Sequence, residues 1–338
     1  MKKLFIVLLS MFLLTGCSLF KSDVMEDVSV YTTIYPLNYI ITDLYGEHAK
    51  VYSIYPTGVE FNNYQLSEKK ISDYAKSDLF VFNSQDQDRN YAVSMINENK
   101  NLKLIDAAYG MNFNYSIEEL WLNPYNYLMM AKNVKNSLAE YITNPYLISN
   151  KDKTGINDKY EMLQYELSKL DAVYKDVIGN GNYKTIVTDN KMFKFLEKYG
   201  ITVIALEEDI QNVTISNDMT LSDISKKYNI TVSDILTYNN RTSEIVNDGE
   251  VIRVPVSVID SADLSLAKKL INNGEIKYIY SNKDNTNSTV NSLIKANGLE
   301  IVKINDMYSI DGGVTNNNET YLTIMNNNLE LFKKELYK

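Results

Sequence analysis

Four oxygen-bearing side chains, Asn62, Glu119, Asp189 and Asp306, stand where a chain of this pattern would present a ligand. Asn62 lies in "YPTGVEFNNYQLS", residues 55–67, just after the strand-like run "KVYSIY". Asp189 follows "KTIVT" and Asp306 follows "EIVKIN". Open parallel sheets bind ligands beyond the carboxyl ends of their strands, and that rule alone selects these three. Glu119 sits just ahead of "WLNPYNYLMMAKNVKNSL". There Asn123 suits a helix cap and Pro124 the first helical position. Three carboxylates and an amide in one cleft repel one another unless a cation or protons intervene. Taken singly, each is also an ordinary cap or turn residue.

The elements that must position them are short. "VSVYTTIY", "KVYSIY", "LFVFN" and "LKLIDA" read as strands in the first half. "KTIVTD", "ITVIAL", "KYIYSN" and "EIVKIND" read as strands in the second. β-Branched and aromatic residues dominate all eight. The segments between them, such as "LNYIITDLYG" and "LSLAKKLINNG", carry apolar residues at helical spacing. Alternation of this kind predicts an α/β fold, two lobes each with a roughly four-stranded parallel sheet covered on both faces. Between the halves, residues 157–178 place Tyr160, Leu163, Leu167, Leu170, Tyr174 and Val177 on one stripe. That helix would be about 33 Å long, a stiff link between the lobes that limits hinge opening.

The chain opens with "MKKLFIVLLSMFLLTGCSLF", two lysines, an apolar run and a small-residue site, which is the pattern of a secretory signal. The run is too short to span a membrane as a helix. Leu14, Thr15, Gly16 and Cys17 fit a bacterial lipobox, so lipid on Cys17 would anchor the protein outside the cell membrane. Cys17 is the only cysteine, which leaves no partner for a disulfide. A net charge of −9 argues against nucleic acid, which needs a basic surface, and does not exclude a cation.

Several stretches resemble the solute-binding lipoproteins of zinc and manganese ABC importers, the cluster A-I group that includes streptococcal-type lipoprotein adhesins. The likeness is carried by "VYTTIYPLNYIITDLYGEHAKVYSIYPTGVE", "KKISDYAKSDLFVFNS", "LWLNPYNYLMMAKNVKNSL", "NDKYEMLQYELSKLDAVYKDV", "FLEKYGI" and "IKYIYSN", in that order. Members of that family hold their metal with two histidines from the first lobe. The second lobe adds a histidine or glutamate and an aspartate. The resemblance implies that the first histidine position falls on Asn62 and the second on Glu119. It puts the third on Asp189, within one position, and the fourth on Asp306. Both first-lobe imidazoles are therefore missing, and so is the family's histidine-rich loop. The single histidine, His48, lies in the turn "GEHAK" and reads as surface. An all-oxygen set suits manganese or another hard divalent ion better than zinc, with water completing the shell. The same substitutions also fit a site that has lost its metal.

Residues 213–256 depart from that family. "VTIS", a helix on Leu221, Ile224 and Tyr228, the turn "YNIT", a helix on Val232, Ile235 and Leu236, and "EVIRVPV" give the order β-α-α-β. "TLSDISKKYNITVSDILTYNN" and "NDGEVIRVP" resemble a LysM module, which binds N-acetylglucosamine-containing glycans such as peptidoglycan. Asp218 and Met219 stand where that family usually has Gly-Asp. Its shallow groove would here be lined by Asp218, Met219, Thr220, Leu221, Tyr238, Asn239, Asn240 and Arg241. The alternative is a degenerate module serving only as a spacer.

The expected organisation is a signal peptide at 1–16 and a lipid-anchored tether at 17–27. An N-terminal lobe at 28–150 and a linking helix at 151–180 follow. The C-terminal lobe takes 181–212 and 257–338, interrupted by the LysM-like module at 213–256. The leading function is a lipid-anchored binding protein that delivers a divalent cation to an ABC permease and contacts peptidoglycan. The alternative is a structural or adhesive wall-binding lipoprotein without metal. Enzymatic activity is not expected, because the sequence offers no nucleophile–base pair and its one cysteine is the lipid site.

Overall fold

Runs of β-branched and aromatic residues become parallel strands, buried in the middle of each sheet and largely exposed at the edges Ala49–Ser53 and Glu300–Lys303. The fold is that of a computed structural model, which describes residues 25–56, 64–84, 86–216, 218–283, 286–308 and 319–338. Cys17, Asn62 and the signal segment lie outside the described residues. Two units divide the chain.

The first unit holds residues up to 56, 64–107 and 131–163. Its strands are β1 (Val28–Thr32), β2 (Ala49–Ser53), β3 (Leu79–Phe82) and β4 (Lys103–Asp106). They form one parallel sheet in the order β2-β1-β3-β4. All four residues of β3 are buried, which is why "LFVF" shows no polar alternation. Met25, in the stretch expected to be tether, is buried, and its carbonyl accepts the Tyr45 hydroxyl.

The second unit holds residues 108–130 and 164–338. Its strands are β5 (Thr185–Thr188), β6 (Thr202–Ala205), β7 (Asp209–Thr214), β8 (Val251–Ser257), β9 (Tyr278–Ser281) and β10 (Glu300–Lys303). β10-β9-β5-β6 form a second parallel sheet in that order. The sheet's core includes Val187, Ile204, Ala267, Ile279 and Val290. All eight sequence-expected strands of the two sheets are present, and the α/β class with two four-stranded parallel sheets is as expected.

Residues 108–130, expected in the N-terminal lobe, belong to the second unit. Trp121 explains it. Its side chain is fully buried, and its carbonyl accepts the Tyr321 hydroxyl at 2.7 Å. Tyr127 stacks on Tyr321 with ring centroids 3.8 Å apart.

The helix Ile156–Gly179 carries the anticipated stripe with one change. Leu163, Leu167, Leu170 and Tyr174 are buried, and Ile178 rather than Val177 continues the row. Val177 and Ile178 flank the centre of the stripe at about equal angles, so helical phase alone does not choose between them.

β7 and β8 pair antiparallel and enclose the helices Leu221–Tyr228 and Val232–Tyr238. Ile215, Leu221, Ile224, Ile235, Ile252 and Val254 form a separate small core. The first strand begins at Asp209 rather than Val213, because Asp209 through Asn212 find partners between Arg253 and Ser257. A capping box opens the first helix, with Thr220 and Asp223 bonded reciprocally.

Candidate metal centre

Asp189 leaves the carboxyl end of β5, and its main-chain N–H donates to Tyr280 on β9 at 3.1 Å. The side chain is buried. Its Oδ2 accepts the Ser281 hydroxyl at 2.6 Å and its Oδ1 accepts Asn190 Nδ2 at 2.7 Å. Burial pushes the carboxyl pKa up, partly offset by the Ser281 bond, the Lys283 charge and the Asn190 amide.

Asp306 sits three residues past β10. Its Oδ2 accepts Asn282 Nδ2 at 2.8 Å and its Oδ1 accepts the Tyr308 N–H at 3.1 Å. Burial raises this carboxyl as well, against the pull of those two bonds and of Lys303. The Asp306 carbonyl accepts the Trp121 indole N–H at 2.7 Å. The Tyr308 hydroxyl reaches Glu118 Oε1 at 2.7 Å, and its ring meets Trp121 edge-on at 5.0 Å.

The two aspartates are joined through amides. Asn190 Nδ2 donates to Asp189 and also to Asn282 Oδ1 at 3.0 Å, while Asn282 donates on to Asp306. The chain Asp189–Asn190–Asn282–Asp306 thus runs across the ends of β5, β9 and β10.

Glu119 was expected to converge on these aspartates. Its side chain is buried, but Oε2 accepts the N–H groups of Asn114 at 2.9 Å and Tyr115 at 3.3 Å. It ties down its own preceding loop. Among the described residues no three His, Cys, Asp or Glu side chains gather to hold a metal ion. Asn123 does cap the helix Pro124–Tyr141, with Oδ1 accepting Tyr125 N–H at 3.2 Å, and it also takes Lys198 Nζ at 2.6 Å. His48 is outside this unit, its ring 5.4 Å from Tyr45.

The expected glycan-groove residues occupy two loops of the β-α-α-β segment. Asp218 and Asn240 have positive φ, 61° and 53°, and both are exposed. Met219 packs against the small core and Leu221 is within it. The Thr220 hydroxyl is used in the cap. The Tyr238 hydroxyl donates to Glu208 at 3.1 Å. Asn239 ties the helix end to β8: Nδ2 donates to Ile235 and Arg253 carbonyls, both at 2.7 Å, and Oδ1 accepts Arg253 N–H at 2.9 Å. Arg241 pairs with Glu250.

Sequence reasoning missed Asn190, Ser281, Asn282 and Trp121 as parts of this site. For Asn190 a signal existed, since the third ligand position was placed only to within one residue of Asp189. Asn282 follows a strand directly, so the strand-end rule could have selected it.

Two parallel four-stranded sheets, the second with ligand-type side chains beyond its strand ends, define an α/β fold of the solute-binding type. Residues 30–246 match the family described as ZnuA, zinc-uptake complex component A, periplasmic, and the chain belongs to that family. It is a family of solute-binding proteins, not of enzymes. The chain is similar to the zinc-binding lipoprotein AdcA of Streptococcus pneumoniae (strain ATCC BAA-255 / R6), 22% identical over 359 residues, 99% of this chain and 61% of that protein. It therefore spans about three fifths of that relative's length. It is also similar to the high-affinity zinc uptake system protein ZnuA of Bacillus subtilis (strain 168), 22% identical over 232 residues, 61% of this chain and 70% of that one. The crystal structure of the Zn(II)-bound ZnuA-like domain of Streptococcus pneumoniae AdcA superposes with a TM-score of 0.62 at 19% identity, covering 92% of this chain and 100% of that domain. That likeness establishes the fold.

Proposed function

We propose that this protein is the extracytoplasmic solute-binding component of a divalent-cation importer, held to a bacterial membrane by lipid on Cys17 and delivering its cation to an ABC permease. Family membership and the metal named for its relatives support this reading. The observation that carries it is the pair of buried carboxylates, Asp189 and Asp306, at the strand ends of one sheet with raised pKa values. A bound cation would compensate two such charges. Asp189 and Asp306 would be the anionic ligands, with Asn62, amide oxygens and water completing the shell. Glu119 joins them only if it releases its loop amides. Without imidazole in this set, a hard ion such as manganese is favoured over zinc, unlike the cation named for the relatives.

The β-α-α-β segment would hold the protein to peptidoglycan as a LysM-like module. Asp218 and Asn240 are the groove residues that stay exposed and open to a sugar. Pull-down on purified peptidoglycan, with and without residues 213–256, tests it; equal binding of the two forms would end the assignment.

A second reading is a structural or adhesive wall-binding lipoprotein without metal. It is favoured by the protein donors that meet each carboxylate oxygen of both aspartates. Melting in manganese, zinc or calcium separates the two. A cation at 100 times its dissociation constant adds about 2.7 kcal/mol. A shift in the parent that is lost in Asp306→Asn supports the carrier; no shift with any of the three leaves the structural reading.

A further inference from the structure

We propose that Asn282 sets the cation affinity of this site by standing in for the cation: together with Asn190 its amide links Asp306 to Asp189, and an incoming ion must displace it. This inference rests on the cation-carrier reading.

The placement follows from strand order. β9 lies between β10 and β5, and Asn282 is the residue directly after β9. Asp306 past β10 and Asp189 after β5 therefore flank it on either side. Its Nδ2 donates to Asp306 Oδ2 at 2.8 Å, and its Oδ1 accepts Asn190 Nδ2 at 3.0 Å. Asn190 in turn donates to Asp189 Oδ1 at 2.7 Å. Every link points its positive end toward a carboxylate: Asn282 toward Asp306, Asn190 toward Asp189. Two neutral amides in series thus give each buried anion a donor, as a bridging cation would. Swapping the ends of the Asn282 amide would turn Oδ1 toward Asp306 and set like partial charges together. A cation in that place would need Oδ1, not Nδ2, to face it.

The consequence is a competition. Bonds that stabilise the cation-free carboxylates are absent when an ion takes their place, so they subtract from its affinity. Asn282→Ala removes the Asp306 donor and the Asn190 acceptor together. A residue with only a structural role would lower the melting temperature and leave the affinity for an ion unchanged or weaker.

The test is isothermal titration of the full-length chain in detergent with MnCl2, ZnCl2 and CaCl2, beside thermal melts without added cation. The parent, Asn282→Ala and Asn282→Ser are compared; the serine is too short to reach Asp306 and serves if the alanine variant does not fold. The expected result is a lower cation-free melting temperature together with affinity for at least one ion tightened about fivefold or more. Binding that appears only in the variants also supports the proposal, even though the parent would then fail as a carrier. Equal or weaker affinity in the variants overturns it, as does absence of binding in all three proteins. Parent binding with no gain in the variants sinks the Asn282 role alone and leaves the carrier reading standing.

Discussion

The indole N–H of Trp121 donates to the main-chain carbonyl of Asp306 at 2.7 Å, across 185 residues of sequence. This bond fixes the backbone from which one site carboxylate extends, and it recruits the segment 108–130 into the second unit. Trp121→Phe keeps most of the buried ring and deletes the donor. The expected loss is about 1–3 kcal/mol, because the carbonyl is left without that partner. Trp121 is the only tryptophan, so urea unfolding must be followed by circular dichroism. A midpoint equal to the parent's would show that the bond carries no net stability.

Burial raises the Asp189 and Asp306 carboxyl pKa values above those of the unfolded chain. Ionising them then costs the folded state more than the unfolded one. Their contribution to stability is greatest while both are protonated. It falls as pH rises from about 4, the unfolded value, through the raised folded values, and is flat above them. The double variant Asp189→Asn/Asp306→Asn lacks this decline. Its unfolding midpoint, relative to the parent's, should climb with pH over that window, and a pH-independent difference would contradict the assignment.

Glu119 separates two roles by chemistry. Its Oε2 holds two loop N–H groups, a task that a glutamine oxygen also performs. Glu119→Gln should therefore cost less stability than Glu119→Ala, with cation affinity close to the parent's. Affinity reduced tenfold in the glutamine variant, at unchanged stability, would restore Glu119 as a ligand.

Asn239 closes the β-α-α-β segment with three bonds between the helix end and β8. Asn239→Ala should destabilise it by roughly 2–4 kcal/mol, three modest bonds lost in a partly buried place. Hydrogen exchange should then quicken in residues 209–257 while β5 and β9 keep their protection. Uniform quickening across the second unit would show instead that the segment unfolds only together with its host sheet.

The proposed lipid on Cys17 makes a prediction independent of the fold. Cys17→Ala should move the protein from the membrane fraction to the soluble or secreted one, read by fractionation and immunoblot. Retention at the membrane would mean that the uncleaved signal is the anchor.

The inner strands are legible in the sequence because they are buried on both faces, as in "LFVF" and "TIVT"; the edge strands Ala49–Ser53 and Glu300–Lys303 are largely exposed and are legible from their strand-forming residues. The long helix is legible from its apolar period, but that period does not choose between Val177 and Ile178 at its end. Asn190 and Asn282 are different. Nothing in "TDNK" or "YSNK" says that the two amides meet, since their contact spans 92 residues and depends on β5 and β9 being neighbours.

By itself the sequence determined the fold class and the aspartates at the strand ends, because those follow from local composition and from the period of apolar residues; the family came from the resemblance of whole stretches. Only the tertiary structure decided what the side chains do there. It turned Glu119 toward its own loop and threaded two asparagines between Asp189 and Asp306. Hydrogen-bond partners of buried polar groups are chosen by whichever donors the folded chain brings within about 3 Å, and that choice is made by strand order rather than by neighbours in sequence.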